Sequence, residues 1–458
     1  MSQNPDRVPL TTSNRANDSS SWILFTLWLL VFGAASQVMI LAPILPRISE
    51  ELGVSVAALG TLATAYAVSF GLFALVTGPI SDRIGRRRIL LAGASLLTLA
   101  LALHAVAHNF VSLLLVRGLA GAGGGVLSGA SVAFVGDYFP SNRRGWANSW
   151  IMSGIAAGQI AGIPLGSLLA GRLGFQAPFL LFAAIMAAAT MLVWKVIPQL
   201  AIAGSSEPAS VRTALRGYLA LMRRPAVVVA SVAFLLIFLS ISLYMMYLPA
   251  WLEASLGFTG LTVALVFLVG GVSNVLAGPR AGRLSDDVGR KPVIIGASSG
   301  LAAVMLATPL AALWPWTIYV IFAAVQALLI ARASPFQSML SELVASDQRG
   351  SLVNLTLAIG QLGFGLGGAV AGFTYAAGGF RVNAVLAAVS ALLAGLLIWR
   401  YLPETLQQET EARPAEKDPC APLWPQAVLC GPCPEAGHMP QPLQEACAQK
   451  RAELLELA

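Results

Sequence analysis

Charge is scarce in this sequence, and most of it has no cysteine. Of 458 residues only 11% are charged and 57% are hydrophobic, whereas a water-soluble chain carries about a quarter charged residues to cover its surface. That shortage excludes a soluble protein for most of the length, and the apolar excess excludes disordered and collagenous classes. Cys420, Cys430, Cys433 and Cys447 all lie near the C-terminus, so no disulfide framework can staple the apolar body. No glycine-rich loop ends in the Lys-Ser/Thr pair of a nucleotide-binding P-loop, so ATP drive is not expected. Nor do metal ligands or an activated nucleophile cluster at depth, and an intramembrane enzyme is not expected either.

Long apolar runs are present. Crossing the hydrocarbon takes about 20 apolar residues in a helix, because each backbone N–H and C=O must be satisfied within the segment. Twelve runs meet this: 22–44, 56–80, 89–108, 110–138, 146–170 and 177–197, then 226–250, 260–281, 293–312, 316–343, 351–376 and 382–402. The first is long enough to span and lacks the flanks of a cleaved leader, so it reads as a retained helix. A net charge of +7 raises the question of nucleic acid. The basic residues fall between apolar runs instead of forming a patch, and nucleic-acid binding is not expected. All but five of the 28 Lys and Arg residues lie on the side of the two termini. The exceptions are Arg47, Arg172 and Arg381 opposite, and Arg117 and Arg332 inside spans. Positive charge is retained on the cytoplasmic side, which places both termini in the cytoplasm.

The second half repeats the first at an offset of about 204 residues. Leu45, Pro46, Glu50 and Gly53 return as Leu248, Pro249, Glu253 and Gly257. Gly78, Asp82, Gly85, Arg86 and Arg87 find Gly282, Asp286, Gly289, Arg290 and Lys291. Asp137, Arg144 and the pair Gly174-Phe175 find Glu342, Arg349 and Gly379-Phe380. Matches in this order imply a duplicated six-helix unit. The organisation is a cytoplasmic segment 1–21, a bundle 22–197, a cytoplasmic linker 198–225, a second bundle 226–402 and a cytoplasmic tail 403–458. An even number of spans per half gives both halves one orientation, with a pseudo-two-fold axis along the membrane normal.

Two six-helix halves with Gly-x-x-x-Asp-x-x-Gly-Arg-Arg/Lys after the second and eighth spans resemble the major facilitator superfamily. The chain is most similar there to bacterial twelve-helix drug:proton antiporters and sugar-efflux proteins. The resemblance covers about residues 20–403 and implies an all-α membrane protein of two pseudo-two-fold related bundles. In the family the loop motif latches to an acidic residue at the inner end of helix four and stabilises the outward-open state. Carried over, the latch comprises Asp82, Arg86, Arg87 and Asp137, with Asp286, Arg290 and Glu342 in the second half. The same arginines would also serve only to fix topology.

Arg117 lies about seven residues into its span with no acidic neighbour, so it should face a wet cavity or a polar partner; snorkelling to the interface is the alternative. Arg117 to Gly125 resembles the family's helix-four motif, which is linked to proton coupling, although Ala120 stands where that motif usually has Gln. Gly154, Gly158, Gly162 and Gly166 recur every fourth residue with Pro164 as a kink. They are expected to form a smooth face for a rocking interface. The pattern resembles the antiporter glycine-proline signature, though Ile163 precedes Pro164 where Gly is preferred, and generic small-residue packing gives the same spacing.

No Asp or Glu lies mid-span, which favours neutral or anionic substrates over cations. Coupling would then fall to Asp137 or to a route through Arg117, His104 or His108, the two histidines reading as residues of the outer interface. The resemblance implies a cavity lined by spans one, four, seven and ten, with Gln37, Arg117, Tyr244, Tyr247, Gln326 and Arg332 as contacts; Pro335 is expected to break the tenth span. Cys430, Cys433, His438 and Cys447 are zinc-type ligands in a spacing that matches no zinc module, so the tail reads as unstructured.

The expectation is a monomeric secondary transporter of the bacterial inner membrane, working by alternating access. It would export small apolar or neutral compounds against protons, the proton gradient standing in place of any cofactor. Alternatives are a facilitator or importer of a small neutral or anionic metabolite, and a transport-silent receptor.

Overall fold

The computed structural model describes residues 11–199, 211–344 and 348–404. Nearly all of these residues are helical. The cysteines and His438 lie outside them, as does the side chain of Asp82.

Among the described residues, fourteen α-helices make up the two halves and a fifteenth lies between them. The first half holds α1 (Thr11–Met39), α2 (Leu41–Leu52), α3 (Val56–Ile84), α4 (Arg86–Leu103), α5 (Phe110–Tyr138), α6 (Ser141–Ala157), α7 (Ile163–Leu173) and α8 (Gln176–Val196). After α9 (Val211–Leu221), the second half holds α10 (Pro225–Met245), α11 (Leu248–Leu256), α12 (Gly260–Val288), α13 (Arg290–Ala307), α14 (Thr317–Glu342) and α15 (Arg349–Tyr401). Eleven helical stretches among the described residues are long and apolar enough to cross a bilayer. One of them, α15, has 53 residues and breaks at Gly379, where φ is 69°. The broken helix makes two crossings, which gives the expected twelve.

Turn glycines carry the duplication into three dimensions. Positive φ occurs at Gly53, Gly85 and Gly174, and again at Gly257, Gly289 and Gly379. Each sits where one helix ends and the next turns away, a conformation that side chains with a Cβ disfavour. N-caps repeat too: the Ser55 hydroxyl accepts from the Ala58 N–H, and Thr259 accepts from Thr262 at the matching place. So do C-terminal caps. Arg87 donates to the carbonyl of Trp194 at the end of α8, and Lys291 donates to Leu402 at the end of α15 over 2.8 Å. A cation suits the unpaired carbonyls of a helix end. Arg87 therefore closes the sixth crossing instead of joining the acidic cluster.

Three local readings are corrected. The fifth crossing is interrupted before Pro164, by a π-helical turn over Gly158–Gly162, and Pro164 then starts the new helix. A π turn absorbs the hydrogen bond that proline cannot donate. Pro335, by contrast, stays inside an unbroken α14. The glycine face of α6 and α7 packs within its own half. Cβ atoms on Gly154, Gly158 and Gly166 would meet Trp28 and Phe32, Ser36, and Ile40, all on or directly after α1.

Candidate functional site

One seam between the halves runs along α3 and α15 and is built from small residues; another joins α12 to the fifth crossing, where a Cβ on Gly271 would meet Ile160. At the end away from the arginine-rich face, a Cβ on Gly60 would collide with the carbonyl of Gly368, and one on Gly372 with that of Ala57. Thr64 donates across the seam to the Gly365 carbonyl over 2.6 Å, and Tyr247 donates to Val56 over 2.8 Å. Toward the basic face the approach loosens. A Cβ on Gly71 would stand 3.2 Å from the Ala358 carbonyl, and one on Gly78 would reach only the Asn354 side chain, at 3.4 Å. The far end is thus shut backbone against backbone, while the basic end meets through side chains and through Tyr218 of α9, whose hydroxyl donates to Leu75 over 3.3 Å. The spacing Ala57, Gly60, Thr64, Ala67, Gly71 against Gly365, Gly368, Gly372 is a sequence signal for this seam; the reading of the fifth span's glycines overlooked it.

Arg117 is 1% exposed. Its guanidinium donates to the Gln37 side-chain carbonyl over 3.0 Å and stands 5.0 Å from the centre of the Tyr66 ring and 5.8 Å from that of Phe179. Among the described residues no carboxylate is within ion-pair reach of it. Burial of an arginine within a span costs up to about 2.5–3.5 kcal/mol on insertion scales, the figure for the helix centre. A charged hydrogen bond contributes about 1.5–3 kcal/mol and a cation–π contact about 0.5–2 kcal/mol, so these neighbours offset it. Snorkelling is excluded by the burial. His104 joins this cluster, contrary to the interfacial reading. It is fully buried, with its ring stacked 3.9 Å from Phe179, Nδ1 2.9 Å from the Ala100 carbonyl and Nε2 without a partner. His108 is exposed. Tyr66 and Phe179 were missed because aromatic residues in apolar spans carry no distinguishing mark.

The second half is arranged differently. Arg332 is also 1% exposed, yet Nε, Nη1 and Nη2 all lack a hydrogen-bond partner. Gln326 is buried on the same helix. Tyr244 ties α10 to Thr308 over 2.8 Å, and Tyr247 ties the halves together. Four of the six cavity candidates, Gln37, Arg117, Tyr244 and Tyr247, are therefore joints between helices, and all six are closed to solvent in this conformation.

On the basic face, Arg86 pairs with Asp137 at 2.9 Å and donates to Ser81 over 2.9 Å. Arg290 pairs with Glu342. Each pair links helices within one half, and the first is made while the far end of the seam is shut. No metal-type cluster of His, Cys, Asp and Glu occurs among the described residues.

Comparison with known proteins agrees with this architecture. The family model described as Major Facilitator Superfamily matches residues 27–330 and 231–432. The chain is 25% identical over 356 residues to the MFS-type transporter YceJ of Bacillus subtilis, covering 77% of this chain and 88% of YceJ. It is 27% identical over 318 residues to the multidrug resistance protein MdtG of Escherichia fergusonii, covering 66% of this chain and 76% of MdtG. The crystal structure of a D-xylose-proton symporter superposes with a TM-score of 0.68 at 18% identity, covering 84% of this chain and 98% of the symporter.

Proposed function

The chain belongs to the major facilitator superfamily, and from that premise we propose that it is a secondary active exporter coupling proton entry to efflux of small apolar compounds by alternating access. Neutral or anionic compounds are favoured over cations, since the spans lack a midplane carboxylate to hold a positive charge. The observation that carries the reading is the graded seam: two similar halves are locked at the far end and met by softer contacts at the basic end, an arrangement suited to rocking. Resemblance to MdtG supports the outward direction. The basic face is the cytoplasmic one by the positive-inside rule, so both termini lie inside and the membrane is a bacterial inner membrane. This conformation is then closed to the outside.

Arg117, held by Gln37 and facing His104 across Phe179, is the coupling centre. His104 and Arg117 share the Phe179 ring, so a proton taken up at His104 would place a second charge on the same packing and give a proton leverage over it. Asp82, Arg86 and Asp137 form the latch, with Asp286, Arg290 and Glu342 as its counterpart. The Arg86–Asp137 pair is intact with the far end shut, so that pair by itself does not distinguish the two states. The protein works as a monomer in this reading, one chain supplying both of the bundles that rock.

A facilitator or importer is the second reading, favoured by the missing midplane carboxylate. Proteoliposomes loaded with candidate compounds decide between them. Export predicts flux that rises with an imposed pH gradient and reverses with its sign. Gradient-independent flux supports a facilitator, and absence of flux for every compound supports a receptor.

A further inference from the structure

Arg332 is a buried cation for which the described protein supplies no partner. Its position on α14, ten residues from Glu342, places it about 15 Å along the helix from the basic end. That depth is out of reach of a lipid headgroup. A guanidinium stays protonated and presents five N–H donors. Here Nε, Nη1 and Nη2 find no acceptor, and no carboxylate among the described residues is within ion-pair reach of the guanidinium. Along the same face, at helical spacing, lie Val325, Leu329, Phe336 and Met339, all buried. Phe336 stacks on Phe234 of α10 with ring centres 5.8 Å apart. Arg117 has an amide and two aromatic rings around it; Arg332 has no hydrogen-bond partner and apolar neighbours along its own helix face.

A buried cation flanked along its helix by apolar side chains, with no acceptor for its donors, suits an oxyanion attached to an apolar body. We infer that Arg332 is a binding site for the carboxylate of an amphipathic monoanion, which the guanidinium takes through paired N–H donors. The inference rests on the transporter reading and narrows its substrate class to small organic acids. Pro335, one turn further along, cannot donate to the Ala331 carbonyl, so the helix beside the guanidinium has slack to adjust as the anion enters.

The test uses the purified full-length chain in detergent, with 4-phenylbutyrate, its neutral amide 4-phenylbutyramide, and acetate as probes. Binding is read by calorimetry and by the shift in melting temperature. The site predicts that phenylbutyrate binds, that Arg332→Met weakens it at least tenfold, and that Arg332→Lys keeps part of the affinity through charge without the fork. The amide's affinity should not change in either variant. Arg172→Met, at an exposed arginine in the last turn of α7, should leave phenylbutyrate binding within about twofold. Should Arg332→Met fail to fold, Arg332→Lys against wild type carries the comparison. Three outcomes would each overturn the proposal: no phenylbutyrate binding to wild type, equal binding by Arg332→Met, or acetate binding as tightly as phenylbutyrate, which would make Arg332 a simple counter-ion site. Because binding in detergent requires no flux, the two readings fail separately. Arg332-dependent binding without flux in proteoliposomes removes the transporter reading, and flux of neutral compounds without carboxylate binding removes only this site.

Discussion

The two halves share their joints and differ in their charges. Turn glycines, N-caps and basic C-terminal caps recur at an offset of 204 or 205 residues, yet Arg117 and Arg332 occupy unrelated places in the repeat. Arg117 lies near the far end of α5 with an amide and two rings about it; Arg332 lies deeper toward the basic end of α14, with none. The acidic pairs have diverged as well. Asp137 is 47% exposed beside Arg86, whereas Glu342 is 17% exposed beside Arg290. Backbone turns are kept by sterics that no sequence drift can relax, while a buried charge must be satisfied anew wherever it settles. Duplication therefore preserved the hinge geometry and left each half free to acquire a chemical role.

Breaking the acidic pairs one at a time sharpens this contrast. Glu342→Gln should have the largest effect on stability, because it removes the carboxylate paired with Arg290 in a largely buried setting; thermal unfolding in detergent checks it. At the seam, Gly60→Ala and Gly372→Ala should each cost about 1–3 kcal/mol through backbone overlap, and Gly78→Ala much less, since it would meet only a side chain. Equal costs at both ends would remove the graded seam. Gln37→Ala should reduce proton-driven flux about tenfold, or about 1.4 kcal/mol, by leaving the Arg117 guanidinium short of its acceptor; unchanged flux would detach Arg117 from coupling. Asp137→Asn is the smallest effect on stability, below about 1 kcal/mol, because its pair is half in solvent. Were it to match Glu342→Gln, the difference in burial between the halves would carry no energetic meaning.

Much of this was legible in the sequence. Apolar runs separated by basic loops define the crossings, and the repeat in Gly85 and Gly289, or Gly174 and Gly379, works because only glycine suits those turns. Arg117 and Arg332 stood out as charges within apolar runs. Packing partners were harder to read. Gly154 to Gly166 announces a close contact without saying whether α1 or the other half provides it, and Gly60 and Gly368 look like ordinary apolar residues until they are brought together. Pro164 and Pro335 show the same limit: proline removes a donor, but neighbouring helices decide whether a π turn or a continuous helix absorbs the loss. His104 seemed interfacial from its place near a span end and is buried only because the chain turns inward there.

Alternating access requires the far end of the seam to open, and a crosslink tests that directly. A Cβ on Gly368 would lie 3.0 Å from that of Ala63, close enough for a disulfide after a small adjustment. In a chain whose four native cysteines are replaced by serine, Ala63→Cys with Gly368→Cys should transport when reduced, lose flux in proteoliposomes when oxidised, and regain it with reductant. Full flux with the crosslink demonstrably formed would contradict the account.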